Sequence, residues 1–144
     1  MKNRATYLFL LLTALTGCSI DSADHERAAE LAVEIYETCD HVGDSTYVQR
    51  PEETIAAGSG DCFDLSVLLA RRMIDEGIRP IKFVVYDNTL SDARHVNVEF
   101  DGERYDPTVS TGRWEYWDRY VEVERYTWSR MVYYWLFEAE EEES

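Results

Sequence analysis

The chain has 144 residues, 45% of them apolar, and carries 29 acidic against 14 basic side chains for a net charge of minus 15. That charge argues against nucleic acid as a partner and against binding to anionic lipid by charge. The length and the absence of any internal repeat fit one domain, long enough to bury roughly two thirds of its unfolded surface.

Lys2 and Arg4 precede an apolar run from Tyr7 to Leu12 inside a longer weakly polar stretch, and the segment closes on Leu15-Thr16-Gly17-Cys18. This is the pattern of a secretory signal, too short to span a membrane as a mature helix. Its last four residues resemble a bacterial lipobox, in which the cysteine is lipidated and becomes the mature N-terminus. An ordinary signal cut near Ala14 or Gly17 would leave Cys18 without a purpose. Ser19 resembles the sorting signal for the outer membrane, facing the periplasm. The expected organisation is a leader over residues 1–17, a single domain over 18–137 and a disordered acidic tail over 138–144. Loss of Lys2 and Arg4 with the leader leaves 12 of the 14 basic residues against 29 acidic ones, a net charge of minus 17. Membrane attachment then rests on acyl chains at Cys18. Cys39 and Cys62 are the other cysteines. An oxidising periplasm could pair them, and their number does not separate a structural disulfide from a free nucleophile with a buried neighbour.

Ser22 or Asp21 can start a helix with Ala28, Leu31, Ala32, Ile35, Tyr36 and Cys39 on one stripe. The spacing i, i+3, i+4, i+7, i+8, i+11 is that of an amphipathic helix, ending by His41 and Gly43. Cys39 falls on the buried stripe, and His25 on an early polar turn is expected in solvent. Residues 44–60 lack a period and contain Pro51, Gly58 and Gly60, the composition of a loop. Within it Gln49 and Tyr47 are candidate donors to an oxyanion, since thiol hydrolases often place an amide or hydroxyl upstream of the nucleophile. Most such glutamines are merely surface polar residues, and Tyr47 is an equal candidate.

The stretch from Gly58 to Ile78 predicts a buried central helix, capped by Ser59 or Asp61. Its apolar residues, from Phe63 through Leu65, Val67, Leu68, Leu69 and Ala70 to Met73 and Ile74, spread too far round for a helix on a wet surface. Gly77 suits the residue just past the end, with Met73 and Ile78 in the apolar contact of such a stop. Cys62 lies at the first turn, where the helix dipole favours a thiolate and main-chain amides can bind an oxyanion. Free cysteine is also among the residues most often buried as a small apolar group, and Asp61 and Asp64 oppose a thiolate. Taken alone, the helix favours Cys62 as core filler over Cys62 as nucleophile.

Strands are expected over Ile81 to Tyr86 and His95 to Phe100, the second alternating Val96, Val98 and Phe100 with His95, Asn97 and Glu99. Asp101-Gly102 is a two-residue hairpin signal. That turn sets Phe100 against Glu103, Glu99 against Arg104, Val98 against Tyr105 and Asn97 against Asp106. His95 and Asp106 become diagonal neighbours on one face, with Cβ atoms about 7–8 Å apart. An imidazole oriented by a carboxylate beside a thiol is what acyl transfer needs, first a base to hold the thiolate and then an acid for the leaving amine. The C-terminal region holds the four tryptophans. Tyr120 to Tyr126 alternates as a strand. Trp128, Met131, Val132, Trp135 and Leu136 fit a helical stripe, but their residue types favour a further strand. These aromatics suit core and sheet packing better than a sugar-binding platform. Three scattered histidines give no ligand spacing, so neither metal nor cofactor is expected.

The segment PEETIAAGSGDCFDLSVLLARRMIDEGIRPIKFVVYD, followed by RHVNVEFDGERYDPT, resembles the core of the transglutaminase-like superfamily. The shared pattern is a Gly-x-Gly-x-Cys turn into a helix, a histidine on a strand, and an aspartate in Asp-Pro-Thr after a short hairpin. It runs from about Pro51 to Thr108. The resemblance implies an α+β, papain-like fold with the nucleophile helix packed on an antiparallel sheet. It implies Cys62 as nucleophile, His95 as general base and acid, and Asp106 as the residue that orients the imidazole. NlpC/P60 peptidases share a papain-like Cys-His pair, but their third residue is usually a histidine. Where the family often reads His-Ala-Trp-Val, Asn97 stands here in the aromatic position. The resemblance implies a thiol enzyme acting on a protein or peptide amide in the cell envelope, a protease or amidase with water as acceptor and a transglutaminase with an amine. Two other readings share the sequence: a catalytically silent member that binds a peptide or envelope partner, and an acidic surface lipoprotein with a structural role. The sequence carries no signal for oligomeric state.

Overall fold

A computed structural model describes residues 22–43, 45, 47–115 and 118–137. The leader, Cys18 and the acidic tail lie outside these residues. The elements in order are α1 (Ser22–Thr38), β1 (Asp40–His41), α2 (Pro51–Ala57), β2 (Ser59–Gly60), α3 (Cys62–Asp75), β3 (Ile81–Asn88), β4 (Arg94–Phe100), β5 (Glu103–Tyr105), β6 (Tyr120–Thr127) and α4 (Trp128–Phe137). A four-stranded sheet runs β5-β4-β3-β6, antiparallel throughout, and β1 pairs with β2 in a short parallel ribbon. This is the expected α+β arrangement. No helix of the described residues is long and apolar enough to cross a membrane.

The core forms where α3 and α1 pack on one face of the sheet. α3 buries Leu65, Val67, Leu68, Leu69, Ala70 and Met73, and α1 contributes Ala28, Leu31, Ala32 and Ile35. The sheet answers with Phe83, Val85, Val96, Val98, Phe100 and Tyr105. Full burial of one such Leu, Val or Phe side chain is worth about 1.5–3 kcal/mol, so this seam is the main source of stability. The stop of α3 follows its sequence: the Ile78 amide donates to Met73 O at 2.9 Å and that of Gly77 to Ile74 O at 3.0 Å, with Met73 and Ile78 both buried.

The hairpin also follows its sequence. Asp101 and Gly102 both have positive φ, 48° and 79°, as a two-residue turn between twisted strands requires. The register pairs Phe100 with Glu103, Glu99 with Arg104 and Val98 with Tyr105.

Four expectations need correction. Residues 51–57 form α2 rather than loop. Pro51 presets the first turn and the Glu53 carboxylate accepts from the Arg50 amide at 2.6 Å, but seven residues are too few to show a period. Residues 128–137 form a helix, not a strand. The Thr127 hydroxyl accepts from the Arg130 amide, Met131 and Trp135 are buried, and the Trp135 indole donates to Val48 O at 2.9 Å, so packing overrides β-propensity. α1 stops at Thr38, whose hydroxyl turns back to Glu34 O, and Asp40-His41 then pairs with Ser59-Gly60. His25 is not in open solvent: Nδ1 lies 2.6 Å from the Tyr105 hydroxyl and the ring centroid 5.1 Å from that of Phe100.

Candidate active site

The start of α3 is held by two carboxylates. Asp61 is the N-cap, its Oδ1 accepting from the amides of Phe63 and Asp64 at 2.9 and 3.0 Å. Asp64 reciprocates, accepting from the Asp61 amide at 3.0 Å. Their remaining oxygens hold the upstream loop, since Asp61 Oδ2 accepts from the Ser45 amide and Asp64 Oδ1 from the Gln49 amide at 2.7 Å. Both aspartates are thus consumed as caps and clamps. Asp61 thereby takes two of the first-turn amides, those of Phe63 and Asp64. Gly60 is forced by this packing, because a Cβ there would lie 2.6 Å from the Asp64 Cβ.

Burial raises the Asp64 carboxyl above its ordinary value and the neighbouring Asp61 charge adds to this, against the two amides that lower it. A carboxyl whose folded value is raised contributes stability that is present at acid pH and lost as the pH rises through that value. The wild type should therefore gain stability relative to Asp64→Asn as the pH falls toward the ordinary value of 3.8. Urea unfolding of both proteins across that range checks it, and a constant difference would contradict it.

Cys62 is 8% exposed and in no disulfide among the described residues, with Sγ 3.8 Å from the carbonyl oxygen of Arg94, the residue before His95. Cys39 is likewise in no such disulfide and lies half-buried at the edge of the core. Nε2 of His95 donates to Oδ2 of Asp106 at 2.5 Å. Asp106 is fully buried, and its Oδ1 accepts from the amide of Thr108 at 2.8 Å and its hydroxyl at 2.6 Å. The Asp-Pro-Thr turn thereby fixes the carboxylate. With Nε2 committed, Nδ1 is the imidazole nitrogen left for a thiol.

A feature the sequence did not disclose lies over this pair. Trp114 stacks on His95 with centroids 4.9 Å apart and planes at 18°, and on Tyr86 at 5.1 Å and 25°. Tyr120 approaches the imidazole at 5.8 Å. Trp114 is brought there by its amide, which donates to Arg104 O, and by the bridge between Tyr105 and Arg113. Asn97 is buried beneath, its Oδ1 3.5 Å from the Tyr86 hydroxyl. A loop tryptophan thus covers the histidine, while Asn97 stands on the strand two residues after it. The only sequence signal was the aromatic density after Gly112.

Of the two upstream candidates, Tyr47 directs its hydroxyl to Glu53 at 3.1 Å. Gln49 is tied by its main chain to Asp64, and its side-chain oxygen is buried without a hydrogen-bond partner among the described residues. No group of three or more His, Cys, Asp or Glu among the described residues is placed to hold a metal.

With a cysteine opening a buried helix, a histidine on β4 and an aspartate in the turn just past β5, this order of elements has the transglutaminase-like, papain-like fold. The chain is similar in structure to LapG of Legionella pneumophila: to the calcium-bound form at TM-score 0.60 and 15% identity, the EGTA-treated form at 0.62 and 14%, and a further LapG structure at 0.62 and 14%. These matches cover 72%, 72% and 78% of this chain and 66%, 63% and 75% of the LapG chains, so the chain spans about two thirds of their length. No family model matches the sequence, and no curated protein does.

Proposed function

We propose that the protein is a thiol enzyme that attacks a peptide or protein amide through Cys62 and passes through a thioester. The observation that carries this is the His95–Asp106 hydrogen bond at the strand end whose Arg94 carbonyl meets the Cys62 thiol. His95 Nδ1 takes the thiol proton, and the resulting imidazolium is stabilised by Asp106. The thiolate adds to the amide carbonyl, and the amide of Cys62 with the side chain of Gln49 are the donors for the oxyanion. Collapse of the tetrahedral adduct breaks the C–N bond, the imidazolium protonates the departing amine, and water or a second amine then cleaves the thioester. LapG, a transglutaminase-like cysteine protease, favours water as the acceptor. The test is mass spectrometry of the protein after incubation with cell-envelope lysate under acid quench. An acyl adduct on Cys62, absent in Cys62→Ala, supports the reading. A Cys62 thiol that stays unmodified and equally unreactive to alkylation would make this a silent binding domain.

The enzyme is further proposed to be held at the membrane, on the periplasmic side, by acyl chains on Cys18. The lipobox-like Leu15-Thr16-Gly17-Cys18 supports this. Cys18→Ser should then shift the protein from the membrane pellet to the soluble fraction and abolish lipid labelling. Sedimentation of the variant with membranes in high salt would contradict the anchor.

A further inference from the structure

The cavity that opens on Cys62 encloses about 280 Å³ and has a floor and a rim of different chemistry. Its floor is Phe63, Val85, Val96 and Tyr126. Val85 and Val96 are cross-strand partners on β3 and β4, and the Phe63 ring lies 6.3 Å from that of Tyr126 on β6. The rim is Ser45, Asp61, Asp92 and Arg94. Two of its charges are already engaged: both Asp61 oxygens accept main-chain amides, and Arg94 Nε donates to Asp87 at 3.0 Å. The Tyr126 hydroxyl, pushed up to about 12 by burial and then by Glu124, stays neutral at the floor's edge.

This volume sits at or below the roughly 300–1,000 Å³ of pockets that enclose a whole small ligand. It holds one side chain rather than a stretch of peptide. An acidic side chain would meet only Arg94, already paired with Asp87, and a basic one would have to turn away from the apolar residues to reach the exposed Asp92; either would lose hydration among them. We infer that this cavity is a specificity subsite that takes an aliphatic or aromatic side chain from the residue whose carbonyl Cys62 attacks. The inference rests on Cys62 being the nucleophile, and it narrows the substrate to peptides with a large apolar residue at that position. Phe63 couples the two roles, because it follows the nucleophile directly and forms a wall of the cavity.

The test uses acetylated amino-acid chloromethyl ketones carrying glycine, leucine, phenylalanine, aspartate or lysine side chains, with iodoacetamide as a reagent that has none. In each ketone the Cys62 thiolate forms a carbon–sulfur bond at the methylene and chloride leaves. Second-order labelling rates for leucine and phenylalanine should exceed the glycine rate by on the order of tenfold to a hundredfold, the effect of seating one apolar side chain. The aspartate and lysine ketones should fall at or below glycine. Val85→Phe, which fills the floor, should bring the phenylalanine-to-glycine ratio close to one. Tyr126→Ala, which opens the floor without inserting anything into the core, should also lower it. Equal rates for all five side chains, or a preference for a charged one, would overturn the subsite. If iodoacetamide itself fails to modify Cys62 in the folded protein, the nucleophile reading falls and the subsite falls with it. Rapid iodoacetamide labelling beside a flat ketone series rejects the subsite alone.

Discussion

Asp106→Asn should lower turnover by on the order of 10⁴-fold, the cost of removing the carboxylate from a comparable triad, while the fold survives. The reason lies in the proton on His95. In the wild type the Asp106 carboxylate accepts from Nε2–H, which leaves Nδ1 as the imidazole nitrogen with the lone pair to take the thiol proton. An asparagine at 106 keeps one oxygen for the Thr108 amide and hydroxyl but presents an NH₂ to Nε2. The imidazole then accepts at Nε2 and carries its proton on Nδ1, where it can no longer take the proton of Cys62. The size and one hydrogen-bonding oxygen are conserved, so the loss concerns chemistry more than stability. An exposed aspartate offers a contrast, since such a substitution changes stability by less than about 0.5 kcal/mol. His95→Ala should cost a similar factor, and the double variant no more than the worse single one, because the two residues act as a unit. Full additivity would mean that they work separately.

The second large effect is expected at Gly112. It has φ of 66°, and a Cβ there would lie 2.4 Å from the carbonyl oxygen of Ala29 on α1 and 3.1 Å from the Ala32 Cβ. The left-handed backbone costs an L-residue about 1–2 kcal/mol, and overpacking a tight site adds about 1–3 kcal/mol. Gly112→Ala should therefore destabilise the protein by roughly 2–5 kcal/mol, seen as a lower urea midpoint with an unchanged slope. Gly112 O also accepts from the Asp106 amide at 3.0 Å, so the same change should disturb the His95–Asp106 pair. Gly43→Ala is the control: nothing lies within 4 Å of its added Cβ, and the residue is exposed. Equal stability of the two variants would remove α1 from the set of contacts that place the Asp-Pro-Thr turn.

The parts legible in the sequence share one property, in that local chemistry specified them. The stop at Gly77 and the turn at Asp101-Gly102 are each encoded within a few residues, and the turn alone carried the register that places His95 beside Asp106. The parts that were not legible depend on contacts between distant segments. α4 has strand-forming residues and is helical because Met131 and Trp135 have a core to enter, and α2 is too short for periodicity to speak. Trp114 shows the same limit within the site. Neither its spacing nor its neighbours point to His95, 19 positions earlier, and only the closure of β5 onto the following loop brings the rings together. His25 shows the complementary limit: its helical position is polar, but Phe100 and Tyr105 come from the sheet to meet it. Asp61 and Asp64 read in the sequence as charges near a thiol, whereas their oxygens are occupied by main-chain amides.

The most direct test of the central claim is the rate of Cys62 alkylation by iodoacetamide as a function of pH, in the folded wild type, Asp106→Asn and His95→Ala. In the wild type Cys62 should react at neutral pH far faster than Cys39, and its profile should reach half its plateau well below that of a free thiol. Both variants should move that midpoint upward to the same extent, and combining them should move it no further. Identical profiles in all three proteins would show that His95 and Asp106 do not act on the thiol, leaving Cys62 a buried cysteine at the start of a helix.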